Sequence, residues 1–86
     1  MYNCRGMPNV FRERGFRFFF YSDEGSPHEP VHIHVVKDHL EAKFWLNPTV
    51  RVADNKGYDA RTLRMLQGLV EANRSRIVRK WNEHFV

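Results

Sequence analysis

Pro30-Val31-His32-Ile33-His34-Val35-Val36 is the stretch that decides the fold. Its alternation is the pattern of a strand with two unlike faces. Val31, Ile33 and Val35 take one side; His32 and His34 take the other. Pro30 pushes Glu29 toward an extended backbone and ends the preceding loop. The two imidazoles then stand roughly 6–7 Å apart at their backbones, and the expectation is that both point into solvent.

Upstream, Phe16 to Tyr21 repeats the alternation. Phe16, Phe18 and Phe20 share one side, and Arg17, Phe19 and Tyr21 the other. Glu13-Arg14-Gly15 reads as a turn, and Val10-Phe11 as the start of a short strand. Ser22 to Pro30 reads as a loop. Downstream, Lys37-Asp38 is a tight connection into a strand over His39 to Leu46. There Ala42, Phe44 and Leu46 alternate against Glu41, Lys43 and Trp45. Asn47-Pro48 turns the chain into a short strand, Thr49 to Ala53, with the character of an edge. Asp54-Asn55-Lys56-Gly57 is a further turn.

The period then changes. Leu63, Leu66, Val70, Ile77 and Trp81 recur at helical spacing, with Asp59 placed as N-cap. One helix over Ala60 to Glu83 would be about 36 Å long, with Gly68 and Asn73 as the places for a bend or break. Trp81 and Phe85, four apart, can pack on one side and anchor its end. Strands first and a helix last predict an α+β domain: a three- or four-stranded, mainly antiparallel sheet covered on one face by a long C-terminal helix.

At 86 residues the chain is expected to be a single domain, with residues 1–6 as a loose extension. Seven Phe, three Tyr and two Trp are a heavy aromatic load that strengthens a small core or furnishes an interface. A homodimer is compatible with that size. A single cysteine, Cys4, leaves no internal disulfide. No apolar run approaches membrane-spanning length, so a cytoplasmic, reducing setting is expected.

Three chemistries suit the histidine pair. A metal ion would need a third ligand, from His28, His39 or Glu41, and two histidines alone do not make a site; no metal or other cofactor is predicted. Acid–base catalysis on a phosphodiester would use His32 and His34 as proton carriers, with Arg17, Lys43 or Arg51 against the phosphate. That is a metal-independent ribonuclease. The third reading is structural: rings hydrogen-bonded on a sheet face beside Tyr21 and Trp45.

Two surfaces invite partners. Phe19, Tyr21 and Trp45 alternate onto one face, as stacking platform, protein interface or helix packing. The helical segment carries Arg64, Arg74, Arg76 and Arg79 against the single acid Glu71 from Arg61 to Lys80. That is a candidate phosphate contact within a chain of net charge +4.

Met7-Pro8-Asn9-Val10-Phe11, Gly15 to Tyr21, Pro30 to Val35 and Glu41-Ala42-Lys43-Phe44-Trp45-Leu46 resemble the DUF4160 family. Glu71-Ala72-Asn73-Arg74 and Trp81-Asn82-Glu83-His84-Phe85 extend the likeness. That family's typical Pro-Pro-His-Val-His-Val run stands here as Glu29-Pro30-Val31-His32-Ile33-His34-Val35, keeping both alternating histidines and departing at the first proline. The resemblance implies a small bacterial or phage-borne α+β protein. Its genes often neighbour those of another small family, DUF2442, in an arrangement like a toxin–antitoxin pair. It therefore implies a small interaction protein of such a module, or a regulatory one, with His32 and His34 as the residues to carry over.

Overall fold

The computed structural model describes residues 9–21 and 29–85. The expected loose extension, Cys4 and His28 lie outside them. Five strands form one sheet in the order β1-β2-β3-β4-β5, all neighbours antiparallel. They are β1 (Asn9–Glu13), β2 (Phe16–Phe19), β3 (His32–Lys37), β4 (Leu40–Trp45) and β5 (Arg51–Lys56), followed by helices α1 (Ala60–Ala72) and α2 (Arg74–Phe85). The α+β class and antiparallel pairing agree with the sequence reading. The sheet, however, has five strands instead of three or four.

Tertiary contacts hold both edge strands. In β1, the Phe11 ring stacks on Phe18 with centroids 4.2 Å apart and planes 10° from parallel. Arg14 and Gly15 join β1 to β2 with φ of 54° and 83°, the left-handed pair that a two-residue hairpin turn needs. At the other edge, Gln67 Nε2 donates to the Val50 carbonyl at 3.2 Å. Beyond β5, Asn55 and Tyr58 exchange two hydrogen bonds of 2.8 and 3.0 Å. The Tyr58 hydroxyl donates to the Leu40 carbonyl at 2.8 Å, and burial raises the pKa of that phenol.

The alternation sorts the sheet into two faces. Phe16, Phe18, Ile33, Val35, Ala42 and Phe44 turn toward the helices and form the core with Leu66, Val70, Ile77 and Trp81. Each fully buried apolar side chain contributes about 1.5–3 kcal/mol. Asp59 caps α1 as expected, accepting from the Thr62 amide at 2.8 Å. That hydrogen bond holds its carboxyl below the ordinary value of 3.8. The capping contribution is therefore complete above 3.8 and lost as pH falls through the lower, folded value.

The single long helix is corrected to two. The break falls at Asn73, not Gly68. The Asn73 side-chain amide donates to the Leu69 carbonyl at 2.8 Å, and its backbone N–H also turns back to Leu69 and Val70. Ile77 N–H then donates to the Asn73 carbonyl at 2.9 Å and starts α2. Gly68 sits exposed inside α1, with open space where a Cβ would stand. Gly68→Ala is expected to stabilise the protein by about 0.5–1 kcal/mol. An unchanged or lowered midpoint in thermal unfolding would contradict this.

Candidate functional site

The site lies on the sheet face opposite the one that builds the core with the helices, and α2 reaches its edge through Trp81. Register places His34 beside Phe19 and Lys43, His32 beside Trp45, and Arg17 beside Val36. His32 and His34 do share a side, as the alternation predicts. Their expected projection into solvent is corrected: His32 is 0% exposed and His34 6%. Phe19, at 1%, is buried with them.

Aromatic packing is what sinks the imidazoles. The His34 ring lies 5.5 Å from Phe19 and 4.6 Å from Tyr21. The His32 ring meets Trp81 of α2 at 4.9 Å and Trp45 at 5.7 Å. The two imidazoles stand 5.3 Å apart, nearly perpendicular. His32 Nδ1 is 2.9 Å from the Pro30 carbonyl. A carbonyl only accepts, so the proton sits on Nδ1 of that ring.

His34 has the more chemical environment. Its Nδ1 lies 3.1 Å from Glu41 Oε2. The Tyr21 hydroxyl donates to the same carboxylate oxygen at 3.3 Å. A carboxylate on Nδ1 fixes the ring's orientation and tautomer, the geometry that a proton-transferring histidine needs. Around this network stand half-buried Arg17, Lys43 and Trp45. Arg17 lies over the Phe19 ring at 4.9 Å, and Lys43 Nζ lies over Trp45 at 4.6 Å and 3.7 Å from Glu29 Oε1.

The basic helical residues have different surroundings, and Arg74 and Arg79 line one recess on α2. The Arg74 guanidinium donates to the Leu46 carbonyl at 3.0 Å and to the Asn47 side chain, tying α2 to the β4–β5 connection. Arg76 contacts Asn73 and covers the Phe11 ring at 4.9 Å. Arg64 is exposed on α1 and Arg79 on α2. Arg51, offered as a phosphate contact, donates to the Asn47 and Thr49 carbonyls at 2.8 and 3.0 Å. Of the third ligands considered for a metal, Glu41 is committed to His34 and Tyr21, and His39 lies exposed in the β3–β4 turn. Among the described residues, no group of three His, Cys, Asp or Glu could hold a metal ion.

Local sequence gave no signal for two participants. Trp81 was expected to anchor a helix, and it also closes over His32 from 49 positions away. Glu41 was considered as a metal ligand, and it is instead the hydrogen-bond partner that Tyr21 and His34 share.

Fold and site together define a small α+β protein with an antiparallel meander, two C-terminal helices on one face and a histidine–aromatic cluster on the other. The chain belongs to the DUF4160 family, a domain of unknown function, whose match spans residues 15–82. No curated protein and no solved structure matches the chain. No described helix is long and apolar enough to cross a membrane.

Proposed function

We propose that this is a small cytoplasmic interaction protein of a toxin–antitoxin-like or regulatory module, and that the sheet face away from the core docks a protein partner. One observation carries the reading. Above the buried His32, His34 and Phe19, that face presents half-buried Tyr21, Glu41, Lys43 and Trp45 together, while α1 and α2 build the core on the other face and α2 reaches this one at its His32 edge through Trp81. Aromatic side chains among polar, hydrogen-bonding ones are the make-up of an interface centre.

The charges favour protein over nucleic acid at this centre. Glu29 and Glu41 stand beside Lys43 and His34, and two carboxylates repel a phosphate backbone. Two of the four helical arginines, Arg74 and Arg76, are occupied within the fold. The family resemblance suggests a DUF2442-family protein, the product of a neighbouring gene, as the occupant.

Co-expression and copurification with that product at physiological salt tests the reading. Trp45→Glu is expected to weaken the complex at least tenfold, the effect of losing a hot-spot aromatic worth about 2 kcal/mol. Arg64→Glu on α1 is expected to leave it intact. Absence of any complex, or equal weakening by both variants, would overturn the assignment.

The His34–Glu41 pair favours a second reading, a ribonuclease in which His34 carries the proton. Purified protein would then cleave RNA between pH 5 and 8, and Glu41→Gln would shift the pH profile of cleavage. No cleavage across that range rejects it.

A further inference from the structure

We propose that Arg12, Arg17 and Lys37 form a binding site for a phosphoryl group in a recess at the β1–β2 end of the sheet. Arg12 stands directly opposite Arg17 in the β1–β2 register, and Arg17 opposite Val36 in the β2–β3 register. Like charges facing each other across a ladder are destabilising, yet the fold places these two together. Among the described residues, neither arginine has a carboxylate within ion-pair distance. Arg17 Nε is buried and has no hydrogen-bond partner among the described residues. A buried donor without an acceptor costs free energy, and an anion in the adjoining recess would supply one.

That recess has a volume of about 310 Å³ and is lined by Arg12, Gly15, Arg17, Val36, Lys37 and Asp38. Lys37 lines it from the end of β3, where its Nζ lies over the Phe16 ring, 4.9 Å from the ring centre. The lining holds three cations against one acid, Asp38. A planar carboxylate is satisfied by a single arginine fork. Three cations from three strands suit a tetrahedral group with more oxygens and more charge.

The site differs from the docking centre in charge and composition. Glu29 and Glu41 balance Lys43 and His34 at the centre, whereas at this end Asp38 alone opposes three cations. The inference does not rest on a protein partner, because its readout is phosphate binding by the isolated chain. The same phosphoryl chemistry comes from a terminal phosphomonoester or from an internal phosphodiester.

The experiment is a titration of the full chain with inorganic phosphate, following the backbone amide resonances of Gly15, Val36 and Asp38 in the recess lining by NMR at constant ionic strength. A saturable shift in the millimolar range is expected. Arg17→Gln, or Lys37→Gln should the first variant fold poorly, is expected to weaken binding about tenfold through loss of a charge-assisted hydrogen bond. Arg64→Gln is expected to leave it unchanged. Competition by a short oligoribonucleotide with and without a 5′-phosphate then identifies the source. Displacement only by the phosphorylated form marks a terminal phosphate, and equal displacement marks the backbone. No saturable shift, or one that survives both Arg17→Gln and Lys37→Gln, overturns the site.

Discussion

Trp81→Ala is expected to lower the unfolding free energy by about 3–5 kcal/mol, enough to leave much of the protein unfolded at 37 °C. The indole joins three elements. It packs against Phe20 after β2 at 5.1 Å, against Phe85 in its own helix at 4.3 Å, and against His32 of β3 at 4.9 Å. It is 6% exposed, so truncation opens a large hole under α2. A chain this short buries a smaller fraction of its surface than a larger domain does, and total stabilities run only about 5–15 kcal/mol. Trp81→Phe keeps an aromatic ring in the same place and should cost less. Urea unfolding followed by circular dichroism measures both variants. A loss under about 1 kcal/mol for the alanine variant would mean that α2 is not docked through this ring.

The central strands are legible in the sequence in full and the edge strands only as short, weakly patterned pieces with shifted bounds, for a reason visible in the residues. β3 and β4 alternate over six positions, with Ile33 and Val35 on one side of β3 and Leu40, Ala42 and Phe44 on one side of β4. β1 has only Val10 and Phe11 for a signal, and β5 is Arg-Val-Ala-Asp-Asn-Lys. Side-chain contacts that the alternation does not show hold these edges: Phe11 stacks on Phe18 across the hairpin, and Gln67 of α1 reaches the Val50 carbonyl just before β5. The helix break has a similar origin. Gly68 is the poorer helix former by propensity, but Asn73 ends α1 because its side chain captures a backbone carbonyl.

The histidine pair was legible in direction and not in depth. Strand alternation puts His32 and His34 on one face whatever surrounds them. What buries them comes from Phe19, Tyr21, Trp45 and Trp81, on elements that the local pattern does not bring together. Arg74 is the same case reversed. It reads as a solvated helix charge, and its guanidinium meets the Leu46 carbonyl 28 positions away.

That depth governs what histidine substitutions can report. His32→Ala is expected to cost about 2–4 kcal/mol, because it removes a fully buried ring and strands the Pro30 carbonyl that the ring held. His34→Ala should cost less, about 1–3 kcal/mol, since its partner Glu41 is half-buried and can turn to water. Loss of function in either variant is then ambiguous until its stability is known. Equilibrium unfolding of each variant, set beside its partner-binding or RNA-cleavage phenotype, separates the cases. A ring that serves the fold loses function and stability together, and function returns at a lower temperature where the variant is folded. A ring that carries chemistry loses function at unchanged midpoint and is not rescued. His32→Ala with a wild-type unfolding midpoint would overturn the structural role assigned to that ring. It would also return His32 to the candidates for proton transfer.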